Sequence, residues 1–143
     1  MKNIIINAHN IHTGGGYVLL LDFLRYLAKT DTEVVVCIDC RANIDLLPKS
    51  DKINYRLIKN NTASRFFNEI FVRKISSSFD VFINFTNIPS VFRLNCLNIL
   101  FLQNNLLVSK FIFKPLNFNL IFDYCLLRCN YIIFSSLSSI KPL

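Results

Sequence analysis

NAHNIHTGGGYVLLLDFL, residues 7–24, decides how this chain is read. Just before it, Ile4, Ile5 and Ile6 form a β-branched run with the character of a buried strand. Two histidines and three consecutive glycines follow. Apolar residues then recur at 17, 20, 21, 24, 27 and 28, which is helical spacing. Glycine loses more conformational freedom on folding than any other residue. A triplet between a strand and a helix therefore implies a close approach to the backbone, with a merely permissive turn as the alternative.

The same grammar continues outward. Residues 33–39 (EVVVCID) and 53–58 read as a second and a third buried strand. The polar stretch 43–52, which holds Pro48, reads as a loop or a short helix. Residues 62–77 (TASRFFNEIFVRKISS) have an amphipathic helical pattern. A fourth strand is expected over 80–85 (DVFINF), and Pro89 forbids its regular continuation. A fifth strand over 96–102, a break at Lys114 and Pro115, a helix over 117–129 and a last strand over 131–134 complete the pattern. Continuous apolar strands alternating with helices predict an α/β, Rossmann-like three-layer sandwich with a mainly parallel sheet. Residues 135–143 (SSLSSIKPL) start like another loop and helix, so the pattern reads as one half of something larger.

A chain of 143 residues suits one domain, and 52% hydrophobic residues exclude a disordered one. The most apolar regions, 97–113 and 118–134, are interrupted by Gln103, Asn104, Asn105, Lys110, Asp123 and Arg128, so no spanning helix is expected. The apolar run after Met1, Lys2 and Asn3 ends at Asn7, too soon for a signal peptide. The net charge of +7 fits a solvated basic surface, an anionic membrane surface or a phosphorylated ligand. Its lysines and arginines are scattered, which argues against nucleic acid.

Five cysteines, an odd number without a secretory signal, fit reduced thiols in the cytoplasm. Cys37 and Cys40 form a CxxC, but strand positions three apart point to opposite faces, so inert thiols are expected rather than zinc ligands. His9 and His12 are spaced as HxxH with no visible third ligand. No metal is expected there. Hydrogen bonding to backbone or substrate is the reading for these histidines.

In doubly wound sheets, ligands bind at the carboxyl ends of the strands. Gly14, Gly15 and Gly16 are expected to form a turn there, ahead of a helix whose free N–H groups suit a phosphate or a hydroxylated group. The motif is neither GxGxxG nor a P-loop, since Tyr17, Val18 and Leu19 follow.

Residues 4–27 (IIINAHNIHTGGGYVLLLDFLRYL) resemble the start of bacterial group 1 (family 4-like) glycosyltransferases of the GT-B fold. Residues 84–89 (NFTNIP) are similar to that family's loop after the fourth strand. Residues 100–104 (LFLQN) are similar to its next strand, which ends in a polar pair. The resemblance spans nearly the whole chain but only the family's amino-terminal domain. It implies that 1–143 is the acceptor-side, Rossmann-like half of a GT-B enzyme. The carboxy-terminal domain that grips the nucleotide-sugar is not among these residues.

By that resemblance, Asn10, His12, Gly14, Gly15, Gly16, Asn87, Gln103 and Asn104 line the cleft and contact sugar hydroxyls or donor phosphates. Strand-end or turn polarity is the other reading of Asn87, Gln103 and Asn104. Many family members place a histidine near 103 and 104. This chain has none there, so its role does not carry over and no catalytic residue is assigned.

The implied reaction moves a sugar from a nucleotide-sugar donor to a glycan or lipid-linked acceptor in surface polysaccharide synthesis. It takes place in the cytoplasm, at the inner face of the membrane, without metal or cofactor. Residues 1–143 alone are expected to be inactive. The alternative is a non-catalytic acceptor-binding or membrane-docking subunit that needs a partner chain, with residues 110–114 (KFIFK) as its local feature. A third reading is a nucleotide-binding domain of other chemistry, with Asp39 positioned as a ribose-binding acid.

Overall fold

Ile4, Ile6 and Ala8 face one side of the first strand, and Ile5 and Asn7 face the other. The two sides enter different apolar clusters, so the strand must be covered on both faces. The computed structural model of the chain describes residues 2–102 and 129–134. These strands are β1 (Asn3–Ala8), β2 (Glu33–Asp39), β3 (Ile53–Ile58), β4 (Val81–Asn84), β5 (Leu97–Leu102) and β6 (Tyr131–Phe134). They form one sheet in the order β3-β2-β1-β4-β5-β6, and every pair is parallel. That is the strand order of the doubly wound Rossmann fold. The chain is therefore an α/β, Rossmann-like domain. The expected helix over 117–129 falls almost wholly outside the described residues.

Helix α1 (Gly14–Leu27) covers one face. Tyr17, Leu20, Leu21, Leu24 and Leu27 pack on Ile6, Ala8, Val34, Val36 and Ile38. The Thr30 hydroxyl donates to the Leu27 carbonyl at 2.8 Å and closes the helix end. Helix α2 (Thr62–Ile75) covers the other face. Its Val72 packs with Ile5, Cys37, Ile58 and Phe82. The Asn61 side chain caps it by accepting from the Ser64 N–H at 2.7 Å. A single 3-10 turn, Ile44–Leu46, stands between β2 and β3.

The glycines do not form a free turn ahead of the helix, as the sequence led us to expect. They are its first turn: α1 begins at Gly14. Gly14 has φ +75, a left-handed conformation that side chains resist. One glycine is thus explained by backbone geometry alone.

Candidate functional site

The chain runs outward from β1 to β2 and β3, then returns to β4 on the other side of β1. Strand order therefore reverses between β1 and β4, the point where a crevice opens at the carboxyl ends of the strands. After β1, the Ile11 N–H donates to the Ala8 carbonyl at 3.0 Å, and Ile11 is buried in the α1 cluster. This tight reversal delivers His12 and Thr13 to the start of α1. The Tyr17 hydroxyl donates to the Asn43 carbonyl at 2.8 Å and ties the first turn to the loop after β2. Thr13 occupies the N-cap position, but its side chain makes no cap hydrogen bond, and no acidic residue lies in the first turn. A Cβ built on Gly14 or Gly15 meets nothing within 4 Å, so open space adjoins both.

Asn10 bridges the reversal point. Its Nδ2 donates to the Thr86 carbonyl, just after β4, at 3.1 Å. Its Oδ1 is buried without a hydrogen-bond partner. The loop after β4 is folded on Asn84, whose Oδ1 accepts from the Thr86 N–H at 3.1 Å and whose Nδ2 donates to the Ile88 carbonyl at 2.6 Å. Asn87 sits at the apex with φ 61, a conformation that asparagine tolerates better than most residues. Asn10, His12, Gly14, Gly15, Gly16 and Asn87 thus belong to one edge of the sheet. Gln103, Asn104 and residues 110–114 lie outside the described residues.

His12 places Nδ1 3.9 Å from Asp39 Oδ2, too far for a hydrogen bond, and that nitrogen is buried without a partner. Asp39 ends β2 with its side chain wholly buried. Arg41 donates Nε to Oδ1 at 2.9 Å, a terminal guanidinium nitrogen to Oδ2 at 2.6 Å and its own backbone N–H to Oδ1 at 2.9 Å. Hydrogen bonds from Arg41 hold the Asp39 carboxyl below its ordinary range, against the opposing effect of burial. Arg41 thus places two donors on Oδ1 and one on Oδ2, so the carboxylate that the third sequence reading assigned to a ribose is also the anchor of the turn after β2.

Beneath this edge lies a polar network that sequence reading did not assign. Asn7 Oδ1 accepts from Asn68 Nδ2 at 3.1 Å and lies 3.0 Å from His9 Nδ1. An amide oxygen only accepts, so His9 carries its proton on Nδ1 and keeps a lone pair on Nε2. Burial, with the nearby charge of Arg65, lowers the His9 pKa to about 4, so the ring is neutral at pH 7. Glu69 accepts from the Ser90 hydroxyl at 2.6 Å and the Val91 N–H at 3.2 Å. It thereby fastens the loop after β4 to α2. Burial raises the Glu69 pKa, and those two donors oppose the rise. The signal available in the sequence was the adjacent pair Asn68 and Glu69 in mid-helix, but spacing alone does not say which stripe faces inward.

His9 faces Asn7 and His12 faces Asp39, and among the described residues no group of three or more His, Cys, Asp or Glu could hold a metal ion. Cys37 is buried and its thiol is pushed up to about 12 by that burial, while Cys40 is exposed just past the strand end. Among the described residues no helix is long and apolar enough to cross a membrane. No protein family, curated protein or solved structure matches the chain.

Proposed function

We propose that this chain is the acceptor-side domain of a glycosyltransferase. Such an enzyme moves a sugar from a nucleotide donor to a glycan or lipid-linked acceptor in the cytoplasm, at the inner face of the membrane. The observation that carries the reading is the edge at the strand-order reversal. There an uncapped, glycine-opened helix stands beside two buried polar atoms without hydrogen-bond partners, Asn10 Oδ1 and His12 Nδ1. Buried unpaired polar groups are costly, and a hydroxylated ligand offers what they lack. Amide and imidazole groups suit sugars because they accept and donate without a fixed charge. The free N–H groups of the first turn suit a phosphate oxygen or a hydroxyl. The resemblance of residues 4–27 to GT-B enzymes supplies the reaction class.

Residues 1–143 provide one Rossmann-like domain, and GT-B transfer uses two. The purified chain is therefore expected to bind without turning over. Amide NMR titration of 1–143 with UDP-glucose, UDP-N-acetylglucosamine, GDP-mannose and a short oligosaccharide tests this. At least one probe should shift amides of residues 12–17 and 86–88. Perturbations confined to other parts of the sheet, or none with any probe, would overturn the reading. Sugar transfer by 1–143 with no partner added would contradict the expected inactivity.

A further inference from the structure

The chain leaves β3 at the carboxyl edge of the parallel sheet, so α2 begins at that edge and runs back across the face. Asn68 reaches Asn7 near the end of β1. Arg65 stands about one turn nearer the edge, and its charge acts on His9, which follows Asn7. The Arg65 Nε is buried without a hydrogen-bond partner, while a terminal guanidinium nitrogen donates to the Asn60 side-chain oxygen. Glu69, four residues on, is the usual helical partner for such an arginine. Here Glu69 gives its oxygens to Asn7, Ser90 and Val91 instead. Among the described residues Arg25 and Arg41 pair with Asp22 and Asp39, whereas Arg65 has no carboxylate within ion-pair distance.

A partly buried guanidinium with an unpaired N–H calls for an acceptor, and an anionic acceptor forms the strongest bond. Charge balance selects the anion. His9 is neutral at pH 7, and the charge of Asp39 also acts on it. One guanidinium in these surroundings balances one negative charge. A dianionic phosphate monoester would carry an uncompensated charge into a partly buried place. A carboxylate would not, and its two oxygens match the guanidinium fork. On the same edge, the unpaired Asn10 Oδ1 and His12 Nδ1 suit hydroxyl groups. We propose that the acceptor is an acidic sugar, a uronic acid residue of a glycan, whose carboxylate is held by Arg65. This rests on the sugar-binding reading of the edge and specifies its substrate class.

NMR titration of the 143-residue chain with methyl glucuronide, methyl galacturonide, methyl glucoside and glucose 1-phosphate tests it. At least one uronide should shift the Arg65 Nε–H resonance and bind about tenfold or more tightly than the glucoside. Glucose 1-phosphate, kept dianionic well above its second pKa of about 6, should bind no better than the glucoside. Arg65→Gln should erase the preference for the uronide and keep the wild-type circular dichroism. Without ligand it should also raise the His9 pKa above about 4, because a positive charge near the ring is gone. Arg25→Gln removes an exposed arginine from α1 instead and should bind the uronide as wild type does. Equal affinity for uronides and glucoside, a uronide preference that survives in Arg65→Gln, tighter binding of the phosphate than of the uronides, or an unmoved His9 pKa in Arg65→Gln would overturn the proposal. So would no shift with any probe. Equal shifts of residues 12–17 and 86–88 by uronides and glucoside would overturn it while leaving the transferase reading in place. An Arg65-dependent uronide preference without those shifts would support the acidic-sugar site and remove the transferase reading.

Discussion

α1 and α2 each run 14 residues and cover opposite faces of one sheet, yet only α2 adds buried polar side chains to its apolar contacts. α1 turns Leu20, Leu21, Leu24 and Leu27 inward. α2 turns Asn68, Glu69 and Val72 inward and leaves Phe66, Phe67 and Ile70 outside. The strands explain the difference. On the α1 side, β1 ends in Ile6 and Ala8. On the α2 side it ends in Asn7, and β4 beside it ends in Asn84. Buried amides require partners, so the helix above them must supply polar groups. Apolar spacing specifies that a segment is helical, and the strand beneath decides which stripe is buried.

The largest test of this contrast is the α1 interface. Leu24→Ala should cost about 2–5 kcal/mol in urea unfolding, because Leu24 is fully buried among strand residues. A loss below about 1 kcal/mol would mean that α1 is not the tighter-packed side.

The second effect is pH dependence between pH 7 and 4, where two groups of the α2-side network oppose each other. His9 has a folded pKa of about 4 against an ordinary 6.5. Its stabilising effect as a neutral group is complete above 6.5 and is lost as pH falls toward 4, a loss on the order of 2–3 kcal/mol. Glu69 acts in the opposite sense. Its folded pKa is raised above 4.5, so it favours the folded state more as pH falls through that window. The two partly cancel in the wild type. Thermal melts from pH 7 to 4 should show a steeper acid loss in Glu69→Gln and a shallower one in His9→Gln. Identical slopes in all three proteins would remove the network from the account.

The third test separates the glycines. Gly14→Ala should destabilise by roughly 1–2 kcal/mol, because only Gly14 of the three glycines is left-handed. Gly15→Ala, in the same first turn with space around it, should be neutral or stabilise by a few tenths of a kcal/mol up to about 1. The smallest effect is Phe67→Ser. Although it removes an aromatic ring from a helix, it should change stability by less than about 0.5 kcal/mol, because that ring faces outward.

Every described strand and both helices were legible in the sequence, since β-branched runs and 3.6-residue spacing are local signals. β2, for instance, spans the seven residues expected of it, Glu33–Asp39. The glycine triplet was legible as special, but its role was split between backbone and space. A left-handed φ at Gly14 is a property of chain direction that spacing does not encode. Asn10 and His12 were legible as residues of the carboxyl edge because they follow β1. The Asn7, Asn68, Glu69 and Ser90 network was not, because its members come from β1, α2 and the loop after β4 and meet only in the fold. Asp39 was noticed for its place at the end of β2, but its capture by Arg41 depends on a turn that the sequence does not display.

The most direct test of the central claim is Gly15→Val, compared with wild type by thermal melt and by affinity for the probe that shifts residues 12–17. Gly15 has no left-handed strain and no neighbour within 4 Å of an added Cβ, so the fold should accept the substitution. If a sugar or phosphate comes to this first turn, the branched side chain occupies its space. The account predicts an unchanged or slightly raised melting temperature with at least tenfold weaker binding. An unchanged melting temperature with unchanged affinity would contradict it and leave the glycines as the permissive opening of a helix.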